Sequence, residues 1–183
     1  TLLILAKPWA SNEIDAEYGM ASKDTSKSSA CTIRLSGNER WIAYDLRYVQ
    51  AGADFPGYYK DLNFGSAGVN FQLLANLRLE TYYRDEKRNL SRDTNLVYAP
   101  RDRYYQFGMG YSNYVALYYR VNTQEGIFLP NSEYRRRENI VQARVGYNFE
   151  AMSVFANADF GTIQDRLLDK RYPSNRYSLN GSI

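Results

Sequence analysis

The sequence predicts an all-β protein, an antiparallel up-and-down meander of repeated hairpins, and three observations carry the prediction. In AGVNFQLLANLRLETYYRDE, Ala67 to Glu86, Ala67, Val69, Phe71 and Leu73 alternate with Gly68, Asn70 and Gln72. After Leu74-Ala75-Asn76, Leu77, Leu79, Thr81 and Tyr83 alternate with Arg78, Glu80, Tyr82 and Arg84. A period of two is that of a strand, with one apolar and one charged face; a helix would scatter the charges around its surface. The unit also recurs. Tight turns marked by Asn38, Ala75, Ser112 and Phe149 follow one another at about 37 residues. Finally, aromatic residues make up 15% of the chain, carried mostly by 18 Tyr inside the alternating segments, where strands favour them.

In chain order, Thr1 to Ala10 is a short apolar run stopped by Pro8, readable as a strand, an edge segment or a tail. Glu13 to Met20 is a weak strand with Ile14, Ala16 and Tyr18 on one face, followed by a Ser/Lys/Asp-rich loop from Ala21 to Ser29. Ala30 to Ser36 and Arg40 to Gln50 form the first hairpin, with Ile42, Tyr44, Leu46 and Tyr48 opposite Ala43, Asp45, Arg47 and Val49. AGADFPGYYKDLN reads as an ordered connection. Beyond the hairpin around Ala75, Tyr105, Phe107, Met109 and Tyr111 oppose Tyr104, Gln106, Gly108 and Gly110. Past Ser112, Val115, Leu117, Tyr119 and Val121 oppose Tyr114, Ala116, Tyr118 and Arg120. Val141, Ala143, Val145 and Tyr147 oppose Gln142, Arg144 and Gly146, and Val154, Ala156, Ala158 and Phe160 oppose Phe155, Asn157 and Asp159. Tyr177 to Ile183 is the last strand. Three polar, proline-broken stretches, DEKRNLSRDTNLVYAPRDR, NTQEGIFLPNSEYRRREN and TIQDRLLDKRYPSNR, read as long connections on one side of the repeat.

Length and composition bound the organisation. The 183 residues suit one domain over 1–183, with residues 1–12 readable as a preceding segment and the chain readable as truncated at both ends. A count of 23 Lys plus Arg against 20 Asp plus Glu gives +3, without the basic excess of a nucleic-acid binder. The single cysteine, Cys31, shares the apolar face with Ile33 and Leu35 and reads as a small apolar residue. No apolar run reaches the roughly 18 residues of a membrane-spanning helix, and the start lacks the pattern of a signal peptide.

The strands are expected to run about nine to eleven residues, the length that crosses a bilayer at a tilt, with connections alternating between tight and long. With its hairpins repeated around Asn38, Ala75, Ser112 and Phe149 and its tyrosine-rich apolar faces, residues 13–183 resemble bacterial outer-membrane β-barrel proteins in architecture. The resemblance implies a transmembrane β-barrel, or a segment of a larger one, in the bacterial outer membrane. Its implied partners are outer-membrane lipid or lipopolysaccharide and other subunits of a membrane complex, with no nucleic acid. Such barrels commonly end in an aromatic residue where this chain ends in Ile183, in keeping with a chain that is a piece. Alternation alone is equally compatible with a soluble or cell-surface antiparallel β-domain that binds a partner through long Tyr- and Arg-bearing loops.

Chemistry is sparse. The chain has no histidine, which excludes Ser-His-Asp and Cys-His nucleophilic systems and the commonest metal ligand. No phosphate loop or zinc pattern occurs, and carboxylates such as Asp45 and Glu80 are expected to pair with neighbouring arginines. No enzyme activity, cofactor or metal site is expected. A membrane-embedded hydrolase working from its loops without histidine is the weakest alternative. Arg135-Arg136-Arg137 reads as a solvated strand end or a contact to anionic lipopolysaccharide where a loop re-enters a strand. The polar faces hold the candidate residues, read as lumen-facing: Asp45, Arg47, Arg78, Glu80, Arg84, Gln106, Arg120, Gln142, Arg144, Asn157 and Asp159. Charge at a lipid-facing midplane costs about 2–4 kcal/mol, so in a barrel these residues turn inward. They then either lock into a filled interior or line an aqueous path of a pore, translocation channel or secretion scaffold.

Overall fold

The computed structural model describes residues 2–9, 11–23, 26–57, 59–93, 98–112, 114–128, 132–148 and 153–182, and among them every regular element is a strand. The strands are β1 (Leu2–Trp9), β2 (Asn12–Lys23), β3 (Ser26–Asn38), β4 (Ile42–Ala51), β5 (Leu62–Leu74), β6 (Leu77–Arg88), β7 (Tyr98–Tyr111), β8 (Val115–Phe128), β9 (Ser132–Asn148), β10 (Ser153–Asp165) and β11 (Lys170–Ser182). They form one 11-stranded sheet in sequence order, each strand antiparallel to the next. Among the described residues no pairing joins β1 to β11, so both are free edges of an open sheet.

Several expected boundaries move. Strands run from 8 to 17 residues, most of them longer than a tilted bilayer crossing requires. The apolar run at the start is the edge strand β1. Ala21 to Lys23 and Ser26 to Ser29, expected in a loop, continue β2 and β3 and leave only 24–25 between them. The strands reach into the three expected long connections, β6 ending at Arg88, β7 beginning at Tyr98, β8 ending at Phe128 and β9 beginning at Ser132, and the last strand begins at Lys170 rather than Tyr177. The Arg135-Arg136-Arg137 run lies inside β9. One physical reason covers all of these: a ladder is held by backbone N–H and C=O groups, and it continues where both faces are polar and side-chain alternation no longer marks a strand. The prolines obey the same ladder. Pro100 lies beyond Lys87↔Arg101, where the β6–β7 pairing ends, and Pro173 lies on the edge strand β11, so neither is required to donate to a second neighbour. Asn38 ends β3, and Ala75 and Ser112 fall in tight turns as expected; Phe149 and Ile183 lie outside the described residues.

Register arranges side chains in rows across the sheet. On one face the rows Leu79–Met109–Leu117–Ala143–Ala158 and Thr81–Phe107–Tyr119–Val141–Phe160 run from β6 to β10. This face is the exposed one: Phe107 is 56% and Leu117 51% accessible. The opposite face is sheltered. Among the described residues the buried apolar side chains, Val49, Ala51, Leu62, Ala116, Tyr118 and Ile140, all lie on it among the arginines.

Glycines on the sheltered face admit this close packing. At Gly161 a Cβ would collide with the Asn139 carbonyl and stand 3.0 Å from Ile140 Cα, backbone that cannot rotate away, whereas at Gly65 nothing lies within 4 Å. Gly161→Ala is therefore expected to lower stability by about 1–3 kcal/mol, while Gly65→Ala changes little. Comparing the two variants in urea unfolding checks this, and equal stabilities would contradict the packing at Gly161.

Candidate functional site

The sheltered face carries all eleven residues expected there, spread over β4 to β10. Asp45 and Arg47 come from β4, Arg78, Glu80 and Arg84 from β6, Gln106 from β7, Arg120 from β8, Gln142 and Arg144 from β9, and Asn157 and Asp159 from β10. The period of two places them there: each alternates with the aliphatic and aromatic residues of the exposed face.

Their partners divide them into separate groups. Arg120 Nη2 donates to Asp159 Oδ2 at 2.8 Å across the intervening strand β9, and Gln142 Nε2 donates to the other Asp159 oxygen at 2.8 Å. Asp159 is only 9% exposed, so this triad is the most enclosed polar group of the site. Arg78 Nε lies 2.6 Å from Glu80 Oε1, and Arg34 Nη2 lies 2.6 Å from Asp45 Oδ2. Asp45 and Glu80 are thus held apart, each with its own arginine and with β5 between them. Gln106 accepts from Tyr104 Oη at 2.6 Å, and Asn157 donates to Ser178 Oγ at 3.2 Å.

Two of the remaining arginines, Arg47 and Arg144, meet rings. Arg144 lies over Phe155 at 4.3 Å, and Arg47 over Tyr59 at 5.7 Å and Phe64 at 5.9 Å. Guanidinium groups are attracted to ring faces, but a ring supplies no compensating charge. Arg47, Arg84 and Arg144 make no ion pair with a carboxylate among the described residues, and the eleven candidates hold five arginines against three carboxylates, while Glu13, Asp15 and Glu17 of β2 add negative charge at the other end of the same face. Small cavities open beside it: one of ≈ 160 Å³ between Arg78, Arg144 and Phe155, and one of ≈ 400 Å³ between Arg47, Tyr59, Lys60 and Arg88.

Sequence reasoning missed several members. The alternation of β3 marks Ile33 and Leu35 but gives no signal for Arg34, and Tyr59 lies in a connection that carries no strand period. Glu138 and Arg176 were assigned to connections, yet Arg176 Nη2 donates to Glu138 Oε1 at 2.8 Å across β10. The alternation of β9 and β11, carried beyond their apolar residues, is the signal that finds them. Near the same end, Asp102 stands opposite Glu86; burial first, and this neighbour second, push its carboxyl above the ordinary carboxylate range. Among the described residues no three His, Cys, Asp or Glu side chains gather as metal ligands.

The Arg135-Arg136-Arg137 run splits by parity: Arg136 points to the sheltered face, and Arg135 and Arg137 to the exposed face. What the arrangement offers chemically is a sheet with one apolar, exposed face and one charged, hydrogen-bonding, sheltered face. Comparison with protein-family models, curated proteins and solved structures found no match.

Proposed function

We propose that this sheet is wall of a bacterial outer-membrane β-barrel, or of a segment of a larger one, that serves as a passage or secretion scaffold rather than performing chemistry. The observation that carries the reading is the inverted exposure. A water-soluble sheet packs its apolar face away from solvent and presents its polar face. Here Phe107, Met109, Leu117 and Val145 are exposed, while Asp159, Tyr118 and Ile140 are buried on the face that carries the arginines. An apolar surface spread over most strands of a sheet far exceeds the isolated patches of soluble monomers, and lipid is the solvent that suits it.

The distribution along the strands supports the same reading. On β7 the exposed face is apolar from Tyr111 to Tyr105, about 20 Å of strand, and charged from Arg103 onward. Aromatic pairs stand at both limits: Tyr114 and Tyr147 at 5.9 Å on the turn side, Tyr83 and Tyr105 at 5.0 Å on the other. Outer-membrane barrels carry such girdles around an apolar band about 25 Å tall.

Closure follows from strand direction. In a meander of eleven strands β1 and β11 run the same way, so pairing these edges directly would be parallel. A second copy, related by rotation about the membrane normal, presents the same mismatch. An antiparallel barrel therefore closes this wall only with an odd number of further strands.

Reconstitution tests the reading. The protein is expected to need detergent to stay monodisperse and to insert into liposomes. Cysteines at Ser91 and Asp169 are expected to label from one side of the membrane and one at Ser112 from the other. A protein that is monodisperse without detergent, or that labels equally at all three sites, overturns the membrane reading. If the lumen is open, arginines without a carboxylate partner favour anions, and replacing Arg47 and Arg144 by glutamate is expected to reverse the ion preference in a planar bilayer.

A further inference from the structure

Beyond the apolar band, the exposed face carries two registered rows of charge: Lys87–Arg101–Glu125–Arg135, and next to it Asp85–Arg103–Thr123–Arg137, both from β6 to β9. The row that follows holds the Tyr83–Tyr105 pair. Five cations share two carboxylates. Arg101 pairs with Asp85 at 2.6 Å and approaches Glu125 at 3.6 Å; Arg103 pairs with Glu125 at 2.6 Å, and Arg135 approaches it at 3.6 Å.

Lys87 and Arg137 have no ion pair among the described residues. Arg137 donates from Nε to the amide oxygen Asn139 Oδ1 at 3.1 Å. Lys87 stands directly opposite Arg101 in the ladder, and like charges in that position destabilise a sheet. A cavity of ≈ 710 Å³ is bordered by Lys87, Arg101, Glu125 and Arg135, with Arg166 from the β10–β11 turn.

We propose that these two rows bind the phosphate groups of an anionic glycolipid headgroup, an inference that rests on the membrane reading and assigns that membrane's outer leaflet to this end of the sheet. The guanidinium fork matches phosphate oxygens two at a time, and Lys87 supplies a point charge beside it. Asp85 and Glu125 hold the guanidinium groups in place, and the hydrogen bond from Arg101 keeps the Asp85 carboxyl below its ordinary range. The position selects a lipid over a free anion. The tyrosine row lies immediately toward the apolar band, and Phe107, Tyr119 and Val141 below it meet acyl chains of a lipid whose headgroup reaches the arginines.

The test is native mass spectrometry of the full chain in detergent micelles, titrated with lipid A, with dephosphorylated lipid A and with inorganic phosphate. The parent protein is expected to retain lipid A, and neither inorganic phosphate nor the dephosphorylated lipid should replace it. Lys87→Gln with Arg137→Gln leaves every ion pair above intact and should weaken retention about thirtyfold, as expected for two cations near an anionic surface. Arg137→Lys alone should keep most of it. Equal retention of the phosphorylated and dephosphorylated lipids, retention unchanged in the double variant, or displacement by inorganic phosphate overturns the proposal while liposome insertion still supports the membrane reading. A parent chain that does not insert into liposomes overturns both.

Discussion

Leu117→Arg and Leu79→Arg are expected to block membrane assembly, whereas Gln106→Arg and Asn157→Arg are tolerated. Leu79, Met109 and Leu117 share one row inside the apolar band of the exposed face, with Tyr111 on one side and Tyr105 on the other. If this face meets lipid as proposed, an arginine there leaves water for hydrocarbon at about 2–4 kcal/mol near the midplane, which corresponds to roughly a thirtyfold to thousandfold loss of assembled protein. Gln106 and Asn157 lie on the polar face beside Tyr104 and Ser178, and although each stands directly opposite an arginine, Arg120 and Arg144, such a like-charge pair costs only about 0.2–1 kcal/mol, well below the cost of a charge in lipid. The fraction of protein that resists denaturation in SDS until heated, after refolding into liposomes, measures the difference. Equal tolerance on both faces would show that the exposed face does not meet lipid.

The second large effect is expected at Asp159. Asp159→Ala removes the acceptor of both Arg120 and Gln142 and leaves a guanidinium on the sheltered face uncompensated. Breaking a buried ion pair from one side costs about 3–5 kcal/mol, because the remaining charge stays desolvated. Replacing both partners with apolar residues of similar volume, as in Asp159→Leu with Arg120→Met, should restore most of the loss. Urea unfolding in micelles, run as a double-mutant cycle, reads both numbers. A double variant no more stable than Asp159→Ala alone would mean that the triad contributes by shape rather than by charge.

These expectations differ in how far they could be reached from the sequence. The two faces were legible residue by residue. Leu79 and Leu117 on one side, and Arg78 and Arg120 on the other, follow from a side-chain period of two that holds wherever one face is apolar. The hairpin repeat was equally legible, since Ala75 and Ser112 interrupt the alternation at a constant interval. Where both faces turn polar the signal vanishes, and for that reason Arg101, Arg103 and Arg135 were read as connections although they are strand residues in register.

What the sequence by itself determined is therefore the element type, the order of hairpins and the face of each side chain within the apolar reach of a strand. Only the tertiary structure decided the rest. Arg120 meets Asp159 from two strands away, because their heights depend on the registers of both the β8–β9 and β9–β10 ladders, and parity gives a face but no height. The tertiary structure also decided which face is sheltered. Alternation is the same whether apolar residues turn toward a core or toward lipid, and only the packing of Tyr118, Ile140 and Asp159 on the arginine face, opposite an exposed Phe107 and Leu117, distinguishes the two.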